Sequence, residues 1–395
     1  MTTLKNYKHF GGGQIEAATA KNALAYLGAT APHTSETFSD ALLFGIGGGI
    51  GVGYFLYASG DFVSLFIATQ ITGGPEFLPN LLKRLGCKTE PQNSSSIAAW
   101  EKKLRQALSE GRPFVTWVNP LGLPYPGAAA YHPLIVYGVD GEVFHVADRS
   151  ARPLTVTRAE MAQAQQSGDP PRFRSLLVSA PAKTPDVARA ARQGIAECVD
   201  QMLNGFGPKN YRNNFGLAGL EKWAGLLTDA KDKRGWPKFF PRGPRLFTAL
   251  TTAFEHIENR GGGSAHRSLY ADFLSEAATL LKKPKLSDVA EQFRASGKRW
   301  RKVSEALLPN AVPLFKEYRQ LSTQRRTSFE KKGMAAREEW QAIHARLDAI
   351  KAEAAKDFPL GESEAPDLLG EVRERVLAVH AAERQAVLAL KAAMA

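Results

Sequence analysis

Two side chains suited to acid–base work, His132 and Asp148, bracket one predicted β-hairpin. His132 opens the first strand of "HPLIVYGVDGEVFHVAD" and Asp148 closes the second, with Asp140-Gly141 as the turn signal. An antiparallel pair turning there sets residue 132 against 149, so imidazole and carboxylate fall within one position of each other. A carboxylate on one ring nitrogen fixes the tautomer and raises basicity at the other. That is the orienting half of a nucleophile–His–Asp set. A purely structural His–Asp hydrogen bond would have the same spacing.

A nucleophile would be sought at "HFGGGQIEAATAKNALAYLG", residues 9–28. The glycine run ends at Gly13 and a helix opens at about Gln14, where the positive end of the helix dipole would lower the pKa of a thiol. Position 15 is Ile, which can neither act as a nucleophile nor accept a proton nor ligate a metal. Thr19 and Ser35 lie nearby in sequence, with nothing to bring either hydroxyl to His132. The second glycine run, Gly45–Gly53, lacks the Lys-Ser/Thr of a phosphate loop, and GxGxxG fails in every register. It implies close approach of main chain to a ligand or to a neighbouring sheet. Gly12, Gly13, Gly47, Gly48, Gly49 and Tyr54 are the candidate substrate-lining positions. His256 and His266 have no metal-ligand spacing with a Cys or carboxylate, so no metal is expected. No sequence feature calls for a cofactor.

The elements that would hold these residues change character along the chain. Helix signals at 14–27, 35–43, 76–85 and 97–110 alternate with strand signals at Tyr54–Tyr57, "PFVTWVN", the hairpin and "FRSLLVSA". Beyond Pro181 strand signals stop. Helical periodicity marks 186–205, 213–230, 244–259, 266–282, 286–308, 312–355 and 364–394. The expected architecture is α+β: a mixed domain over 1–180 and an all-helical domain over 181–395. Residues 312–395 would form a helical hairpin around "FPLGESEAPD", a surface that could pair with a second copy.

With 395 residues, 44% of them hydrophobic and 23% charged, the composition is that of a globular protein. No apolar run reaches membrane-span length. Two cysteines far apart, Cys87 and Cys198, argue against a disulfide framework and for the cytoplasm. The net charge of +12 is uneven: residues 1–180 hold 15 basic and 13 acidic side chains, residues 181–395 hold 36 and 26. Such a surplus attracts nucleic acid, anionic membranes or acidic proteins, and mixed charges of this kind equally serve as a solubilising surface. Nucleic acid is not expected, because no recognised reading motif accompanies it.

Taken in order, the turn at 12–28, "SDALLFGIGGGIGVGYFLY", "FLPNLLKRLG" and the His132 hairpin resemble the N-terminal domain of butirosin biosynthesis protein H. "NNFGLAGLEKWAGLL" and "GGGSAHRSLYADFLSEAATLL" are similar to the helical domain of unknown function that commonly follows it. The resemblance spans residues 5–305. It implies a papain-like first domain and transfer of an acyl or aminoacyl group from an acyl carrier protein thioester to an amine, in secondary metabolism. It further implies a Gly-x-His-Cys pattern at the first helix, matched by Gly12 but met by Gln14 and Ile15 at the last two places. His132 matches the family's general base and Asp148 its orienting acid. Two readings follow: acyl transfer without a cysteine acyl-enzyme, or a non-catalytic member whose cleft binds a ligand or partner.

Overall fold

The computed structural model describes residues 2–59, 62–70, 76–126, 131–166 and 172–395. The chain runs β1 (Thr2–Thr3), α1 (Ile15–Tyr26), α2 (Asp40–Ile46), β2 (Gly53–Ser59), β3 (Phe62–Ala68), α3 (Phe77–Arg84), β4 (Lys88–Pro91) and α4 (Ile97–Ser109). It continues with β5 (Phe114–Val118), β6 (His132–Asp140), β7 (Val143–Ala147), β8 (Leu154–Thr157), α5 (Arg158–Gln166) and β9 (Ser175–Ser179). Helices then follow: α6 (Val187–Asn204), α7 (Gly216–Thr228), α8 (Trp236–Phe239), α9 (Pro244–Phe254), α10 (Arg267–Leu280) and α11 (Lys285–Leu307). The last three are α12 (Pro313–Lys332), α13 (Arg337–Lys356) and α14 (Glu364–Met394). The protein is thus of mixed helix and sheet, with a C-terminal helical region.

Two compact units emerge, and neither is continuous in sequence. The first comprises Met1–Gly47, Gly73–Ala191 and Arg325–Trp340; the second comprises Gly48–Thr72, Arg192–Gln324 and Gln341–Ala395. A single border at 180/181 does not describe this arrangement. β2 and β3 sit early in the chain yet belong with the helices, and Arg325–Trp340 sits late yet belongs with the sheet. The physical reason is burial: Phe329, Ala336 and Trp340 complete the core of the sheet unit.

The sheet of the first unit has strand order β4-β9-β5-β6-β7-β8, all pairs antiparallel, with β1 added to β6 beyond the end of β5. β5 and β9 are buried on nearly every residue, which requires cover on both faces. Part of that cover is α4, whose Trp100 meets Phe114 and Phe144 edge-on at 5.7 and 5.3 Å. Its indole N–H donates to Ser175 Oγ at 2.9 Å, so the ring's polar edge is satisfied inside the core. The hairpin turns at Gly141-Glu142, one residue later than expected, because Asp140 pairs with Val143. Gly141, at φ 56°, takes the left-handed conformation that a two-residue turn needs. A bulge between Val136 and Gly138 then takes the register one position back toward the expected pairing.

In the second unit α14 packs on α7 and α11, and α10 packs on α11. The expected long helix over 312–355 is two helices, interrupted by a 3-10 turn at Gly333–Ala336 where Gly333 has φ 55°. The helix expected over 244–259 ends at Phe254 and continues as a π-helical turn over Glu255–Arg260.

Candidate active site

The glycine turn is held from both sides. Asn22, on α1, accepts from Phe10 N through Oδ1 (3.0 Å) and donates to Phe10 O through Nδ2 (2.8 Å). Gly12 N donates to Arg149 O at 3.2 Å, so the turn runs along the stretch that follows Asp148. The approach is close: a Cβ on Gly11 would lie 2.7 Å from Ala151 N, and one on Gly12 would lie 2.7 Å from Ala18 Cβ. At Gly13 nothing lies within 4 Å of that position. Gly11→Ala should therefore cost about 1–3 kcal/mol, since main chain must move. Gly13→Ala should stay within about 0.5 kcal/mol. Urea unfolding of the two variants checks the contrast.

Gln14 caps α1. Its side chain accepts from Ala17 N at 2.6 Å and donates to Glu16 at 2.5 Å. This is the work usually done by Ser, Asp or Asn at a helix start. Ile15 is therefore the first helical residue, half-buried. One turn on, Thr19 Oγ1 donates to Ile15 O at 2.9 Å and lies 3.2 Å from Pro133 O, which sets the start of α1 against the start of β6.

His132 is the first residue of β6 and is 2% exposed. Its Nε2 lies 3.0 Å from Asp148 Oδ2. Asp148 also accepts from Arg149 N at 2.7 Å and from the Tyr125 hydroxyl at 3.3 Å. Burial alone would raise this carboxyl. The His132 ring, together with the guanidinium and amide of Arg149, outweighs burial and holds it down at about 2. The folded-state value thus lies below the ordinary 3.8. The carboxylate's contribution is fully present above about pH 4 and is lost as pH falls through 2, and it amounts to about 2 kcal/mol. Asp148→Asn should flatten that limb of the stability–pH curve, as thermal melts between pH 2 and 5 would register.

Four site residues carried no signal strong enough to single them out. Arg149 is buried, donates to Pro126 O at 2.7 Å and lies 5.2 Å over the Phe329 ring. Tyr125 stacks on Phe329 at 5.3 Å, and the same helix accepts from Ala151 N through Glu330 O. His9 Nε2 lies 2.8 Å from Ser150 O, and burial lowers its pKa. Arg149 adjoins Asp148 in sequence and could have been found from that adjacency. Phe329 lies some 180 positions away in a helix of ordinary periodicity, and nothing local marks it.

The other candidate positions lie elsewhere. Gly47 packs under Phe77, whose ring carbon would lie 2.1 Å from an added Cβ, and Gly49 packs under Tyr270 at 2.3 Å. Gly48 is buried and has φ 117°. Tyr54 is buried in the helical unit, stacked near Trp223, with its hydroxyl accepting from Trp236 Nε1 at 2.9 Å. Close packing accounts for Gly47, Gly49 and Tyr54, and the left-handed backbone for Gly48. Only Gly12, Gly13, Gln14 and Ile15 share the unit and the neighbourhood of the His132–Asp148 pair.

An α+β protein with a buried imidazole–carboxylate couple beside a helix N-terminus is the class that this geometry defines. Residues 15–149 match the family described as butirosin biosynthesis protein H, N-terminal. Residues 159–324 match a domain of unknown function, DUF4872. The chain thus carries a region matching that N-terminal domain, followed by one matching the domain of unknown function. No curated protein matches it. Among the described residues no helix is long and apolar enough to cross a membrane.

Proposed function

We propose that this protein is an acyltransferase-like member of secondary metabolism that joins an acyl group to an amine without a cysteine acyl-enzyme. The family supports an acyltransferase-like role. The observation that carries the mechanism is the His132–Asp148 bond at 3.0 Å, buried next to the start of α1. In this reading the first domain is papain-like, and a carrier-protein thioester and an amine bind together. The amine nitrogen attacks the thioester carbonyl, a C–N bond forms and the C–S bond breaks. His132 takes the proton from nitrogen and returns it to the departing thiolate, while Asp148 holds the ring and stabilises its cationic form. In this reading the developing oxyanion is met by backbone N–H groups at the start of α1 other than that of Ala17, which the Gln14 side chain occupies. Holding both reactants in register supplies the rate that a covalent intermediate would otherwise provide.

A specific observation favours a second reading. Gln14 is committed to capping α1, and the resemblance sets Gln14 and Ile15 where the family's His-Cys dipeptide is expected. On that reading the cleft binds an apolar ligand or a partner, and no bond is made. One experiment separates the two: amide formation from a carrier-protein thioester and an amine, followed by mass spectrometry. Turnover by the wild type that falls by about 10²–10⁴-fold in His132→Ala supports the enzyme. Turnover unchanged in His132→Ala removes the mechanism. No turnover, with retained ligand binding, leaves the binding module.

A further inference from the structure

The helical unit carries a surface that its own packing does not use. β2 and β3 pair as a two-stranded ribbon with Phe55 opposite Phe66, Tyr57 opposite Ser64 and Ser59 opposite Phe62. Strand alternation sends Tyr54, Leu65 and Ile67 to one face, where they are buried. The other face presents Phe55, Tyr57, Phe62 and Phe66. Tyr57 and Phe62 are each 61% exposed and Phe66 is 40% exposed. The apolar strip continues onto Phe215, 5.1 Å from Phe55, and then onto Phe206, 5.8 Å from Phe215. An aromatic patch of this extent marks an interaction site.

Its Phe206–Phe215 end is basic. Lys209 and Arg212 are exposed in the 3-10 turn Lys209–Asn214, and the Arg260 guanidinium lies 5.5 Å over Phe66. Neither the described ribbon residues nor residues 205–215 include a carboxylate. The rings meet steeply, at 62° for Tyr57–Phe62, 73° for Phe55–Phe215 and 88° for Phe206–Phe215. Rings packed edge to face make a continuous apolar strip and do not offer the parallel faces on which bases stack. A net charge of +12 and a basic rim oppose a second copy across the same face. Seven-residue strands make a strip about 23 Å long, which matches about 15 residues of α-helix.

We propose that this strip docks an acidic amphipathic helix of a partner protein. The helix lays its apolar side chains along the aromatic rings, and its flanking carboxylates meet Lys209 and Arg212. The interaction is independent of the chemistry at His132.

Full-length protein is titrated into a fluorescein-labelled helical peptide of 16 residues with Leu and Phe on one face and Glu on the flanks. A control peptide carries Lys in place of every Glu. The acidic peptide should bind at least 10-fold more tightly than the control, and more weakly at 500 mM than at 50 mM NaCl. Affinity should fall at least 10-fold in Tyr57→Ser/Phe62→Ser and in Lys209→Glu/Arg212→Glu, and should hold in His132→Ala. The four substituted residues are exposed, and circular dichroism verifies that the variants fold. Equal binding of the two peptides, or wild-type affinity in both double variants, overturns the proposal. So does a ring-dependent dimer in sedimentation without peptide binding. Ring-dependent binding to vesicles of 30% phosphatidylglycerol without peptide binding overturns it as well.

Discussion

Ile15→Cys should give the chain its one thiol that alkylates readily at pH 6. The background is silent: Cys87 and Cys198 are buried, and burial pushes both thiols up to about 12. The introduced thiol would stand on the first residue of α1, where the helix dipole favours the thiolate, in the neighbourhood of His132. Its pKa is expected below about 7, and iodoacetamide should modify it at least about 100-fold faster than either native cysteine. Adding His132→Ala should remove most of that advantage, since an imidazolium partner is the stronger of the two influences. Mass spectrometry of a pH-dependent alkylation series reads both effects. A thiol that reacts at the ordinary rate, with or without His132, would dissociate the glycine turn from the His–Asp pair and end the acyl-transfer reading.

Glu383→Ala should produce the largest loss of stability among single substitutions outside the site. Arg267 and Glu383 form a bidentate pair, Nε to Oε1 at 2.6 Å and Nη2 to Oε2 at 2.9 Å, with both side chains fully buried. Glu383 also accepts from Ser296 Oγ at 2.9 Å and from Trp300 Nε1 at 2.7 Å. Arg267 donates to the carbonyls of Thr69, Ala265 and Gly51, so every arm of the guanidinium is engaged. Removing the carboxylate leaves a cation in the core with no counter-charge, at a cost of about 3–5 kcal/mol. That is a large share of the stability of a typical domain. Replacing both partners by apolar residues, Arg267→Met with Glu383→Leu, should recover much of the loss, because the pair as a whole contributes less than breaking it costs. Urea unfolding measures both. A loss under about 1 kcal/mol in Glu383→Ala would mean that water reaches the guanidinium.

The sequence made the His132–Asp148 encounter legible because a hairpin is local. Two β-branched and aromatic strands around a glycine turn bring their far ends together whatever the rest of the chain does. Even a turn one residue later than expected, with a bulge, left the two side chains bonded. Helices after Pro181 were legible for the same reason, being set by periodicity within their own length. What escaped was non-local. The glycines at 47–49 signal close approach but not what approaches; the answer, Phe77 and Tyr270, depends on tertiary contacts. Tyr54 is the second residue of β2, beside that run, yet its partner Trp236 lies far along the chain. The four-residue strands β4 and β8 carry too few positions to establish a period. Arg325–Trp340 reads as the middle of a surface hairpin, since Phe329 and Trp340 find their neighbours only once the sheet exists.

The crossing of segments between the two units bears on how such a protein can be inherited. A gene cut at the compositional border would give one fragment deprived of the stretch carrying Phe329, Gly333 and Trp340, and another deprived of the Gly48–Thr72 excursion. Neither product would hold its own complete interior. Splitting the chain at that border should therefore leave each part short of segments its interior needs.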